Sequence, residues 1–211
     1  IEGLKSEPTS EVFGALGYLS EIDFYKDIND QNRHLFTPKV LLKYAPGIMK
    51  QETEGGRINS LNIFNLNKTD SNDNFENGLS ATLGFDYEID NKKRKFSFSG
   101  GQVINQKENK KMSPESSLNE KLSDFVGSTN FNYNDRFNFD YKFALDQNYK
   151  DLNYNDLNTT INFNSIDLNF NYLKEAKHYG QTEYFETNVS YMMDTNGKLS
   201  LKGKRNLISN S

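Results

Sequence analysis

Phe137-Asn138-Phe139-Asp140-Tyr141-Lys142-Phe143-Ala144-Leu145 is the run whose pattern decides the fold. Its odd positions are aromatic or aliphatic, and Asn138, Asp140 and Lys142 stand between them. Successive side chains of a strand point to opposite faces, so the run is a ribbon with one oily and one hydrophilic side. A helix would scatter the same aromatics around its circumference. Ribbons of roughly 9–11 residues are long enough to cross a bilayer at a tilt.

The pattern repeats on both sides of this run. Leu79, Ala81, Leu83, Phe85, Tyr87 and Ile89 alternate with Ser80, Thr82, Gly84, Asp86 and Glu88. Weaker alternation follows through Phe96, Phe98, Gly100, Gln102 and Ile104, then through Phe125 to Tyr133. Downstream come Leu157 to Phe163, Ile166 to Tyr172, Phe185 to Met193, and a last run led by Leu199 and Leu201. Turn lengths test the assignment, because a one-residue slip inverts every side chain. Tyr133 and Phe137 share parity and need an odd loop, which Asn134-Asp135-Arg136 supplies. Phe163 and Ile166 differ in parity and need an even one, supplied by Asn164-Ser165. Met193 and Leu199 are joined by Asp194 to Lys198, which contain an Asn-Gly turn signal.

Between these turns the connections are long: Asn105 to Asp124, Asp146 to Asp156, and Lys174 to Glu183. Short turns at one end and long loops at the other are the asymmetry of outer-membrane barrels. The expected fold is therefore all-β: a segment of an antiparallel transmembrane β-barrel, open or partial, an up-and-down meander of about ten or eleven strands. Residues 1–211 are expected to form part of one barrel domain, with both ends cuts in a longer chain. On this reading Asp86, Asn138, Asp140, Lys142, Asp167, Asn169, Asn171, Lys202 and Lys204 face a wet lumen. Leu83, Phe85, Phe139, Tyr141, Phe143, Leu168, Phe170, Val189 and Tyr191 face lipid.

The first third is less regular. Val12 to Leu19 and Leu35 to Tyr44 read as strands, with Pro38 removing one ladder donor from the second. Ile58 to Leu66 alternates but changes phase between Ile63 and Phe64, and Asp70 to Asn77 reads as polar loop.

Composition narrows the function classes. Mean hydropathy is −0.82, and no run approaches the roughly 18 apolar residues of a membrane helix. Phe 16 and Tyr 12 are too many for a disordered chain of this polarity. Net charge is −4 with both signs interspersed, which excludes a basic nucleic-acid groove. There is no cysteine, hence no disulfide, thiol nucleophile or zinc-thiolate site. His34 and His178 read as exposed loop residues, so no catalytic residue, cofactor or metal site is expected. Asp70, Asn72, Asp73, Asn74 and Glu76 imitate a calcium loop, but Phe75 stands where the glycine is needed. A generic porin or receptor barrel, and a soluble extracellular β-sheet binding domain, fit the same composition.

Leu35-Phe36-Thr37-Pro38-Lys39 followed by Tyr44-Ala45-Pro46-Gly47, then Arg57, Gly78 to Tyr87 with Gly84 inside it, and Gly101-Gln102 occur in linked order. Together they resemble the barrel (OstA-like C-terminal region) of the LptD family of lipopolysaccharide-assembly proteins, its α-proteobacterial type in particular. The resemblance implies a non-enzymatic translocon in the Gram-negative outer membrane that delivers lipopolysaccharide to the outer leaflet. It further implies an LptE-like lipoprotein plug and periplasmic Lpt bridge proteins as partners. The bridge would dock through an N-terminal jelly-roll domain outside this segment.

Overall fold

A computed structural model describes residues 14–29, 32–52, 56–68, 76–194 and 197–208. Eleven strands follow in chain order: β1 (Leu16–Glu21), β2 (Phe24–Asn29), β3 (Asn32–Ala45), β4 (Gly78–Asn91), β5 (Arg94–Asn105), β6 (Phe125–Tyr133), β7 (Phe137–Leu145), β8 (Leu152–Phe163), β9 (Ile166–Glu175), β10 (Thr182–Asp194) and β11 (Gly197–Asn206). All pairings between them are antiparallel, and from β3 to β11 each strand pairs with the next in one meandering sheet. The sheet does not close: β1 and β2 stand at one edge and β11 at the other. Among the described residues no helix is long and apolar enough to cross a membrane.

β1 and β2 are two halves of one outer strand. Glu21 lies opposite Lys39 and Phe24 opposite Phe36, so the register runs unbroken across Ile22-Asp23. Ile22 N donates to Pro38 O (3.4 Å), which shows that the hydrogen-bonding edge of Pro38 faces this outer strand. Proline has no N–H to return, and the strand is interrupted there. Thr37 Oγ1 donates to Asp23 Oδ1 (2.7 Å) beside the gap.

The turn parities hold where they can be checked: Tyr133 pairs with Phe137 and Phe163 with Ile166. Several bounds differ from the sequence expectation. β8 begins at Leu152, β9 runs to Glu175 and β10 starts at Thr182, so those connections shrink to residues 146–151 and 176–181. Asn153, Asn155 and Lys174 carry these strand ends, and polar residues on both faces erase the alternation that sequence reading relies on. Tyr191 pairs with Leu199 as the faces require, but the ladder runs on to Asp194 and Gly197. Thr195 and Asn196 of that turn, Val12 and Phe13 of the first proposed strand, and residues 70–75 of the polar loop and calcium-loop imitation lie outside the described residues. Residues 58–66 form no strand; Ser60 to Phe64 is a turn.

Two glycines sit where the sheet has no room for side chains. Gly84 and Gly101 are cross-strand partners, and a Cβ on Gly84 would lie 2.3 Å from Gly100 O and 2.8 Å from Phe64 Cζ. The pair leaves a dent in one face, and Phe64 of the β3–β4 connection lies over it. Gly84→Ala is expected to destabilise the intact protein by about 1–3 kcal/mol through overpacking. Gly56→Ala, with nothing within 4 Å of its new methyl, should be silent. Thermal unfolding of the two variants side by side checks this.

Candidate functional site

The register sorts the sheet into two faces across its whole width. Phe85, Gly100, Gly127 and Phe143 form one continuous cross-strand row, and Tyr141, Leu157, Tyr172 and Phe185 form another. Phe139 and Phe170 flank Thr159, Leu168 pairs with Val189, and Tyr191 and Leu83 lie on the same side. Ring contacts tie the face together: Phe36–Phe85 at 5.7 Å, Phe85–Phe98 at 5.5 Å, Tyr141–Phe143 at 5.6 Å and Phe170–Phe185 at 5.9 Å. Much of it is open: Leu83 is 46% exposed, Phe170 40% and Tyr191 45%.

All nine polar positions singled out in the sequence lie on the opposite face. Asn132, Asn138, Thr160, Asn169, Asn188 and Lys202 make one row, and Asn130, Asp140, Asn158, Asn171 and Glu186 the next. Their side chains bond along the rows. Asn130 Nδ2 donates to Asp140 Oδ1 (2.6 Å) and Thr160 Oγ1 to Asn169 Oδ1 (2.8 Å). Lys202 pairs with Glu186 at 2.9 Å, and Asp86 holds Lys39 at 2.7 Å. Lys142 lies between Ser128 and Asp156, Asp167 opposite Asn162, and Lys204 Nζ rests 3.8 Å from the Tyr184 ring.

At the end with the longer connections this face changes character. Val103, Val126, Ala144 and Tyr154 project from it and form a buried cluster with Met49, Ile58 and Ile63 of the β3–β4 connection and Met112 and Leu118 of the β5–β6 connection. The described residues of the β3–β4 connection thus lie across the polar side of the sheet as a strap. Asn59 shapes it: its Oδ1 accepts from Leu61 N (2.8 Å) and Asn62 N (3.1 Å), while its own N–H donates to Asn62 Oδ1 (2.8 Å). Ser60 Oγ donates to Ser128 Oγ on β6 (2.8 Å). Each fully buried Ile or Met contributes roughly 1.5–3 kcal/mol to seating it. Sequence reading missed the strap. The signal was present as Val103, Val126 and Ala144 on the side that should be hydrophilic.

Arg57 fastens the strap. Its Nη1 donates to Glu175 Oε2 (2.5 Å), and its guanidinium lies 3.3 Å from the centre of the Tyr154 ring. Glu175 Oε1 also accepts from His178 N (3.0 Å) and faces His178 Nδ1 (3.1 Å); His178 Nε2 faces Asp124 Oδ2 (3.1 Å). Lys177 Nζ lies 3.5 Å from Asp124, and Asn153 Nδ2 donates to it at 2.8 Å. His178 is 1% exposed, which corrects the expectation of an exposed histidine. His34 is not a loop residue either; it lies in β3 with Nδ1 2.7 Å from Tyr87 Oη. Composition hides both, because only tertiary packing brings acids to His178.

Burial opposes charge on His178, yet hydrogen bonds to Asp124 and Glu175 outweigh it and hold the imidazole above its ordinary 6.5. Burial likewise opposes ionisation of Asp124, and the bonds from His178 and Asn153 overcome it, holding the carboxyl below 3.8. The raised group stabilises fully below pH 6.5 and loses its contribution as pH climbs through its folded value. The depressed one stabilises above about pH 4 and loses it as pH falls through its own. The clasp is therefore firmest between about pH 4 and 6.5. Thermal stability should decline above neutrality, and His178→Gln should flatten that slope; equal slopes would contradict it.

The remaining motif residues have local roles. Pro38 interrupts the edge, Tyr44 lies exposed near the end of β3 with Pro46 just beyond it, and Gly78 opens β4 at φ +103. Gln102 is on the apolar face, with its amide satisfied by Ser123 O (2.7 Å) and Tyr149 Oη (2.6 Å).

No curated protein matches the chain. Residues 5–202 match the family described as LptD: LPS transport system D. The match extends from before β1 into β11, and the chain thus belongs to the LptD family, which is one of lipopolysaccharide transport and outer-membrane assembly rather than of enzymes.

Proposed function

We propose that this chain is a stretch of wall in a larger outer-membrane barrel that delivers lipopolysaccharide to the outer leaflet of a Gram-negative envelope, of α-proteobacterial type. The observation that carries the reading is the division of the sheet, from the short turns to its middle, into an exposed aromatic face and a hydrogen-bonded polar face. A glycolipid has a hydrated sugar head and acyl tails. The polar face suits the head, and the aromatic face suits contact with lipid, where a charge at mid-depth costs about 2–4 kcal/mol. The short turns at 92–93, 134–136 and 164–165 then belong at the periplasmic rim, and the strap near the outer surface. An LptE-like lipoprotein within the barrel and periplasmic Lpt bridge proteins acting through a jelly-roll domain are the partners of this reading.

Depletion of the full-length protein tests it: lipopolysaccharide should be lost from the cell surface and regained on re-expression. Unchanged surface lipopolysaccharide, with solute flux through the reconstituted protein, would instead assign a porin.

A further inference from the structure

The rim with the short turns carries a concentration of positive charge that the wall does not use. Lys92 and Lys93 from the β4–β5 turn, Lys95 from the start of β5 and Arg136 from the β6–β7 turn line a cleft of about 570 Å³. Asp135 is the sole carboxylate in its lining; the rest are the amides Asn132 and Asn134. Among the described residues none of the four cations forms an ion pair; Asp90, across the ladder from Lys95, lies outside the lining.

The cleft is built on a tied base. Asn134 N donates to Lys93 O (3.0 Å), joining the two turns, and Arg136 N donates to Tyr133 O (3.0 Å), closing the second. Asn162 joins the next strand to it through Arg136 O (2.7 Å) and Asp135 O (3.0 Å). Asn134 and Asp135 have φ of 50 and 54, the left-handed conformation that a tight turn requires. These bonds occupy the carbonyls of Lys93, Tyr133, Asp135 and Arg136, and the four cationic residues are exposed. Lys95 and Asn132 belong to the polar face, so the cleft opens at the mouth of the hydrophilic side.

We propose that this cleft binds the phosphate groups of a phosphorylated sugar headgroup as it reaches the polar face. The inference rests on the lipopolysaccharide-transport reading and specifies which part of the cargo meets this rim. Arginine presents a planar fork that matches a phosphate in two places, and lysines supply point charges around it. The cleft is about half open to solvent, so a phosphate can enter with a sugar attached. The amides along the wall beyond, Asn130, Asn138, Asn158 and Asn169, offer donors and acceptors for hydroxyls rather than further cations.

The test uses full-length protein in a zwitterionic detergent. Binding is measured for lipopolysaccharide and for the same material stripped of phosphate. The wild type should prefer the phosphorylated form by about tenfold, the equivalent of one charge-assisted contact. Lys92→Gln/Lys93→Gln/Arg136→Gln should abolish that preference while still binding the stripped form, and Lys92→Arg/Lys93→Arg should keep it. A preference that survives in the triple variant overturns the proposal. So does displacement of lipopolysaccharide from the wild type by an equal concentration of inorganic phosphate, which would assign the cleft to the free ion. Equal wild-type binding of the two forms refutes the cleft alone, whereas no binding of either form refutes the transport reading itself.

Discussion

Phe139→Lys and Phe170→Lys are expected to block membrane assembly of the full-length protein, while Asn138→Lys and Asn169→Lys, one residue away in each strand, assemble normally. Phe139 and Phe170 lie on the uncovered aromatic face, with Thr159 between them. Asn138 and Asn169 share a polar row with Lys202. A lysine on the lipid side costs about 2–4 kcal/mol at mid-depth, and a lumenal one close to nothing. Heat-modifiable mobility on gels and protease resistance in membranes read the outcome. Equal tolerance of both pairs would contradict the assignment of faces, and with it the proposed function.

Arg57→Ala is expected to unseat the strap. Glu175 is buried, with its side chain 6% exposed, and in this variant it keeps only its bonds from Lys177 and His178. Removing one member of a buried pair costs about 3–5 kcal/mol where the other charge stays behind without compensation, and His178 beside Glu175 brings the cost below that range here. Tyr154 also loses the guanidinium stacked on it. The expected readout is new protease cleavage within residues 56–68 with the strands still protected. Arg57→Lys should fall between the two, since a lysine retains the charge but not the planar fork. An Arg57→Ala protein with wild-type protection would show that the apolar contacts of Ile58 and Ile63 suffice.

The strands were legible because their alternation is a local property. Phe137 to Leu145 shows its two faces without reference to any other residue, and hairpin parity then fixes its neighbours. The strand ends at Leu152 and Thr182 were illegible because polar residues occupy both faces there. The strap was illegible for a different reason. Ile58 to Leu66 alternates weakly enough to suggest a strand, and its actual partner is an apolar patch assembled from Val103, Val126, Ala144 and Tyr154, which no window of sequence contains. The clasp was equally hidden: Arg57, Asp124, Glu175 and His178 come from three separate connections and the end of a strand. Gly84 was singled out by family resemblance, and its physical reason, the dent beneath Phe64, required coordinates.

Arg57 and Glu175 are 118 residues apart in the chain, whereas from β3 onward every strand pair joins sequence neighbours. Pairing neighbours closes short loops and is quick; a distant contact carries a larger entropic cost and comes late. The Arg57–Glu175 bond can form only once β9 has been laid down. The ion pair is therefore a late latch, closed over a sheet most of whose strands are already in place.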